Sequence, residues 1–223
     1  MSNQKFGEIG WNDAPAGSGS TKNSKDTFLK LGQGSNPIRI VTLPHQYYQH
    51  KYKVEGEKGY GHRINCSASK GRCVVCDKGD RPKRRWLVGV IERKTGMYKV
   101  LDIGFSIFKG IQTYANDDDW GPPTNYDVDI VVDPKGGSTG YYTVIAKPKK
   151  PLSAADLQLK EQSDQEFLVK MSTAPEPEKV EERLNSIIEK ISAEGGEVSS
   201  GQLSKSSTED DEFGEYDASS TFP

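Results

Sequence analysis

"RWLVGVIERKTGMYKVLDI", residues 85–103, is the stretch whose reading decides the fold. Trp86, Val88 and Val90 alternate with Leu87, Gly89 and Ile91, RKTG supplies a turn, and MYKVLDI returns, so the segment predicts a β-hairpin. On its N-terminal side, "QHKYKVEGEKGYGHRINC" (49–66) predicts another hairpin, with polar-aromatic strands around a Gly/Glu/Lys turn near residues 56–59. Further upstream, "IRIVTL" predicts a short strand ended by Pro44. Downstream, "FSIFKGIQTY" (105–114) places Ile107, Phe108 and Ile111 at helical spacing, and "NDDDWGPPTN" reads as an acidic loop. "YDVDIVVDPKGGSTGYYTVIA" (126–146) is a third hairpin with a Pro/Gly turn. Short antiparallel strands with one helix between the third and the fourth predict a mainly β protein built as a small, partly open barrel.

This core is expected to span residues 27–150, ending at "KPKKPLS". Residues 1–26 are Gly/Ser-rich and polar and read as a flexible N-terminal arm. Residues 151–194 read as a helical extension. Ser153 and Asp156 form a candidate capping box for a helix over 154–171, and Val180, Leu184, Ile187, Ile188 and Ile191 share one face of a second helix. Residues 195–223 are low-complexity and acidic, and are expected to be a disordered tail, because so few apolar side chains cannot offset the entropy of folding.

Charge divides along the same line. Residues 1–150 hold 24 Lys and Arg against 15 Asp and Glu, a net +9; residues 151–223 hold 6 against 17, a net −11. A near-neutral chain therefore consists of a basic body, suited to a polyanionic partner, and an acidic tail. No apolar stretch resembles a secretion signal or a membrane span, and a reducing cytoplasm is the expected home, with no membrane partner.

That compartment bears on the three cysteines, which in reducing surroundings more often hold metal than form disulfides. Cys73 and Cys76 are spaced C-x-x-C, which lets one tight turn offer two thiolates to a tetrahedral zinc, and Cys66 adds a third. The fourth ligand must come from His45, His50 or His62. His62 lies four residues from Cys66, about 13 Å along a strand, too far to share an ion unless the chain turns at "RIN". If the 49–66 hairpin turns near residue 57, His50 falls roughly opposite Cys66, within about 5 Å. The expected set is therefore His50, Cys66, Cys73 and Cys76, with His62 as substitute. Four protein ligands close the sphere, so the zinc is expected to be structural.

Residues 51–110 carry 15 Lys and Arg against 6 Asp and Glu, with aromatic residues interleaved. Cations that track phosphates, beside rings on which bases stack, are what single-stranded nucleic acid binding requires. The candidates are Tyr48, Tyr52, Arg63, Arg72, Lys83, Arg84, Arg85, Trp86, Arg93, Tyr98, Lys99 and Phe105. Tyrosines in a polar alternation favour a groove; Phe108, on the helix face with Ile107 and Ile111, favours the core; Trp86 and Phe105 suit either.

From "FLKLGQGSNPIRIVTLP" through "INCSASKGRCVVCDKGDRPKRRWLVGVIERKTGMYKVLDIGFSIFKGI" to "YDVDIVVDPKGGSTGYYTV", residues 27–146 resemble the zinc-containing, helix-destabilising single-stranded DNA-binding proteins of tailed bacteriophages. The resemblance implies an OB-fold that coats single-stranded DNA in replication, recombination and repair, a structural zinc, and an acidic C-terminal tail that contacts replication or recombination proteins. It also raises cooperative self-association through the basic arm, of which "STKNSK" (20–25) is at best a faint trace, and it places the protein in the host cytoplasm. Here the tail, "TEDDEFGEYDASSTFP", ends Phe222-Pro223, with its acids set back from the end, unlike many such tails.

No metalloprotease motif, phosphate loop or nucleophile–base pair is visible, and Asp117, Asp118 and Asp119 read as a solvated turn rather than a magnesium site, so no enzyme is expected. The alternative is a zinc-ribbon transcription or adaptor protein that binds duplex DNA or a polymerase, using the helix over 176–192 to dock a protein.

Overall fold

The computed structural model of the protein describes residues 27–52, 62–161, 163 and 165–193. The expected arm (1–26), the tip of the first hairpin (53–61) and the acidic tail lie outside the described residues.

Seven strands form one antiparallel sheet: β1 (Gly34–Ile40), β2 (His45–Tyr52), β3 (His62–Asn65), β4 (Lys83–Glu92), β5 (Met97–Ile103), β6 (Tyr126–Val132) and β7 (Tyr142–Lys149). The order is β3-β2-β4-β1-β6-β7, with β5 on the other edge of β4. All three hairpins expected from the sequence are present, as β2–β3, β4–β5 and β6–β7. In the β4–β5 turn Gly96 has φ +67°, the left-handed geometry that glycine adopts without strain, and its N–H donates to the Glu92 carbonyl.

β4 is the spine. Its 86–91 run is buried on both faces, which a strand of continuous apolar residues requires. β1 and β2 pair successively along one edge of β4: Ile40 lies opposite Val90 and His45 opposite Leu87. Five steps along one chain thus match three along the other, and residues 41–44 absorb the excess as a bend. Thr42 holds that bend by accepting the Gly89 N–H through Oγ1 at 2.7 Å. The sheet consequently splits into a β1–β6–β7 body and a β2–β3 wing.

The sheet is open: among the described residues β3 and β7 end the order and do not pair, so the closure expected of a barrel is not seen. It does curl. Arg63 on β3 reaches Asp102 on β5 at 3.2 Å, although three strand spacings of a flat sheet span about 14 Å.

The principal core lies on one face of the body. Ile38, Ile40, Trp86, Val88, Val90, Leu101, Ile103, Val128 and Ile130 are capped by Ile107 and Ile111 of a helix spanning Phe105–Ala115. This follows a single turn, α1 (Val74–Asp77), and is designated α2; it lies between the fifth and sixth strands, not the third and fourth as expected, because IRIVTL and both strands of each of the first two hairpins precede it.

The helix expected over 154–171 is two helices, α3 (Ala154–Glu161) and α4 (Gln165–Ser172). Ser163 sits between them; its backbone N–H donates to the Lys160 carbonyl at 3.1 Å, an i to i−3 bond that ends the first helix, and its carbonyl accepts the Gln165 N–H. The capping box does form: the Asp156 N–H donates to Ser153 Oγ at 3.1 Å, and the Ser153 N–H donates to Asp156 Oδ2 at 3.2 Å. α4 covers the second face of the sheet, burying Leu168 against Tyr47, Leu87 and Val100. α5 (Pro177–Ala193) packs Val180, Leu184 and Ile187 against Ile64, Val75 and the cysteines. The helices after residue 151 are thus laid back onto the sheet. No described helix is long and apolar enough to cross a membrane.

Candidate metal centre and basic surface

His50 lies in β2 with its side chain fully buried, and Cys66 directly follows β3. Cys73 caps the start of α1 and Cys76 lies within it. One ligand atom from each of these four residues falls within 4.8 Å of every other. The Nε2 of His50 is 3.4 Å from Cys73 Sγ and 3.5 Å from Cys76 Sγ, and the Cys66 and Cys76 sulfurs are 3.6 Å apart. Bonds of ~2.3 Å to sulfur and ~2.0 Å to nitrogen at tetrahedral angles place sulfur and nitrogen about 3.5 Å apart, and two sulfurs about 3.8 Å apart. The group can hold a metal ion, and its geometry is compatible with a structural zinc.

The route to this cluster differs from the one the sequence suggested. His50 is paired with Ile64, and the Cys66 N–H donates to the Tyr48 carbonyl, so the hairpin register is two residues away from the expected one. A shift of two preserves which face each side chain occupies, and His50 and Cys66 still converge diagonally. His62 sits at the far end of β3, opposite Tyr52, and is not part of the group.

The surroundings orient the imidazole and act on the ligands in opposite directions, favouring the thiolate at Cys73 and the protonated form at His50 and Cys76. His50 Nδ1 lies 2.7 Å from Asp80 Oδ2; a carboxylate only accepts, so Nδ1 carries a proton and Nε2 faces the sulfurs. Burial pushes the imidazole pKa down, but the Asp80 hydrogen bond and the nearby Cys66 sulfur outweigh it and hold the value up at about 10. Burial disfavours the Cys73 thiolate, yet backbone N–H groups from Cys76, Ser67 and Val75 more than compensate, bringing its pKa down to about 6. Burial and the neighbouring sulfurs raise Cys76. Ser67, fully buried, closes the loop by donating to the Arg72 carbonyl at 2.6 Å. Asp80 escaped the sequence reading; its only signal was a carboxylate four residues beyond the second cysteine of the knuckle.

The twelve candidate nucleic-acid residues separate by environment. Trp86 is only 4% exposed and stacks on Phe108 at 3.9 Å and 5°, so its ring has no free face for a base. Tyr52 is buried in the cluster beneath α5, against the expectation that tyrosines of this polar alternation stay outside. Tyr47 is buried as well, its hydroxyl donating to Asp102 at 2.9 Å, and burial beside that carboxylate raises its pKa. Tyr98 lies across Gly89; a Cβ there would meet the Tyr98 hydroxyl at 2.5 Å, so the glycine is what admits the ring. Arg85 is engaged by Asp102 at 2.9 Å, and Arg93 by Asp127 and Asp156 at 2.9 and 2.7 Å. Lys99 is half-buried on β5.

Lys83, Arg84, Arg63 and Arg72 are exposed cations, although Arg63 reaches Asp102 and Arg72 bonds Asp77. Arg84 places its guanidinium 5.9 Å from the centre of the half-buried Tyr48 ring. Phe105, 38% exposed, begins α2 just beyond the end of β5. Because β5 pairs with β4 only from Trp86 onward, residues 83–85 form a projecting corner whose side chains reach solvent on both faces. Asp102, which gathers Tyr47, Arg63 and Arg85, is a hub that sequence reasoning missed; a lone carboxylate in the apolar run VLDI was its trace.

No protein-family model matches the chain, and a search of curated proteins found no match for it.

Proposed function

We propose that this chain is a non-sequence-specific single-stranded DNA-binding protein whose binding surface is the β2–β4 corner. The observation that carries the reading is the juxtaposition there of exposed Arg84 with the Tyr48 ring, with exposed Lys83 on the other face of the same strand end, on strands anchored by the His50–Cys66–Cys73–Cys76 cluster. Cations supply sequence-independent affinity to phosphates, and Tyr48 and Phe105 offer faces to bases. In this reading the bent β1–β2 segment, the β1–β6–β7 body, the β2–β3 wing and the helix between β5 and β6 form an OB-like, partly open barrel. The metal is zinc; bound, it acts as a cross-link between β2, the end of β3 and α1, and supplies no chemistry of its own.

Coating of single strands in replication, recombination and repair, recruitment of partner enzymes by the acidic tail, self-association and a cytoplasmic setting belong to the same proposal. So does a binding rather than a catalytic role. The adaptor alternative needs an outward apolar face on α5, and that face is spent against the cysteines.

The test is fluorescence anisotropy of labelled oligo(dT), a duplex and an RNA of equal length across a salt series. Oligo(dT) should bind most tightly, with log affinity falling linearly against log salt. Equal or stronger binding to the duplex, or no binding to oligo(dT), overturns the reading.

A further inference from the structure

A cleft of about 540 Å³ opens where the free edge of β3 faces the α4–α5 connection. Five cations line it: Arg63 from β3, Lys70 from the turn between Cys66 and Cys73, Lys170 near the end of α4, and Lys179 and Arg183 from α5. Glu176 is its one lining carboxylate, and it is bonded to Lys70. Lys170, Lys179 and Arg183 make no ion pair among the described residues.

Such an arrangement is unfavourable in isolation. Lys179 and Arg183 are four apart on one helix face, where like charges destabilise. Lys179 is also the third residue of α5, at the end where the helix dipole favours an anion over a cation. An anion in the cleft relieves both conflicts. No aromatic ring lines the cleft, so it has nothing on which to stack a base.

The cleft is continuous with the Lys83 side of the β2–β4 corner, the sheet face opposite Tyr48 and Arg84, so a strand joining the two passes around the projecting end of β4. Lys83 is paired with Gln49, and Gln49 with Asn65, which lines the cleft and bonds Gln49 at 3.3 Å. That row crosses two strand spacings, about 10 Å. Arg63 also joins them, sharing Asp102 with Arg85.

We propose that this cleft is a second, backbone-only phosphate site, in which Arg63, Lys170, Lys179 and Arg183 hold phosphodiester groups of a strand leaving the corner along the Lys83–Gln49–Asn65 row. The proposal rests on the single-strand-binding reading above. It divides the labour: the corner engages bases, and the cleft engages phosphates alone, so the cleft adds affinity and salt sensitivity without adding sequence preference. Its walls are hung from the metal cluster, since Lys70 lies between two of the cysteines and α5 packs on them.

The experiment measures binding of oligo(dT) of about 16 nucleotides, the upper end of site sizes for one such module, by the full metal-bound chain across a salt series. The triple variant K170Q/K179Q/R183Q should bind more weakly, with a salt slope shallower by about 1.4–2.1, the loss of two or three single-strand phosphate contacts at ~0.7 each. Glu176→Gln, which releases Lys70, should tighten binding several-fold, a gain that a misfolded variant cannot give. Unchanged slope and affinity in both variants, while the unsubstituted chain binds the oligonucleotide, overturn the cleft and leave the corner standing. A triple variant that loses a deca-glutamate peptide but keeps the oligonucleotide overturns it in favour of an acidic protein partner. If the unsubstituted chain ignores the oligonucleotide, the single-strand reading falls, and the cleft proposal with it.

Discussion

On the body side of the molecule, Ile38, Val88, Val90, Val128 and Ile130 meet α2 in a core dominated by apolar contacts. On the wing side, β2, β3, α1 and α5 share a smaller cluster in which two of the eight buried residues are cysteines and His50 is enclosed beside them. The two regions share β4 but are held by different physics. Burial at roughly 25 cal/mol per Å² is distributed over many body side chains, so no single body contact is indispensable. The wing has β2, a four-residue strand, a one-turn helix and one long helix, packed through a few apolar residues around four side chains that can hold a metal ion; in the proposed metal-bound state its cohesion would be concentrated in those four ligand atoms. A region stabilised in this way is local in its failure: remove the cross-link and the elements it joins lose their common anchor together.

Metal removal tests that comparison with the largest expected effect. With a strong chelator, or in Cys73→Ser, amide exchange should accelerate through residues 45–52, 62–77 and 177–193 while 86–92 and 126–132 stay protected. Asp80→Ala, which frees the imidazole to reorient, should produce a milder version, a loss of about 10–100-fold in metal affinity. Uniform loss of protection would show one cooperative unit instead of two.

The reciprocal experiment cuts the body. Trp86→Ala removes a buried ring stacked on Phe108 and should cost about 3–5 kcal/mol in denaturant unfolding. The metal-saturated variant should still bind one ion per chain. Loss of the ion along with stability would join the two regions energetically.

A smaller effect should appear at low pH. Arg39 is fully buried and donates to Asp127 at 2.6 Å and to the Thr124 and Lys150 carbonyls. Burial raises the Asp127 pKa, but Arg93 and Arg39 outweigh it and hold the carboxyl below its ordinary value. A depressed folded pKa means that the stabilisation is complete above the unfolded value of about 3.9 and is lost as pH falls below it. Asp127→Asn should therefore lower the melting temperature at pH 7, by the equivalent of about 3 kcal/mol at most, and should match the unsubstituted chain near pH 2. An equal deficit at both pH values would show that the loss is steric, not electrostatic.

Much of this contrast was legible in the residues. The alternation of 85–103, the C-x-x-C spacing and the apolar face of 180–191 each identify an element or a ligand pair through local geometry alone. Tyr52 and Trp86 were harder. A tyrosine among polar neighbours looks exposed until α5 is seen lying over it, and a tryptophan at a basic strand entrance looks like a stacking platform until Phe108 covers it. Neither cover is near in sequence.

The chain by itself determined the parity of each strand, and with it the faces on which His50 and Cys66 stand, because side chains alternate with a period of two whatever the register. It determined the hairpins, the Ser153–Asp156 capping box and the segregation of charge for the same reason: each depends on neighbours a few bonds away. Only the tertiary structure decided the register of β2 against β3, the curl that brings Arg63 to Asp102, and the return of α4 and α5 onto the sheet. Those depend on which distant surfaces bury one another best, a choice made by the sum of many weak contacts and not by any one stretch of residues.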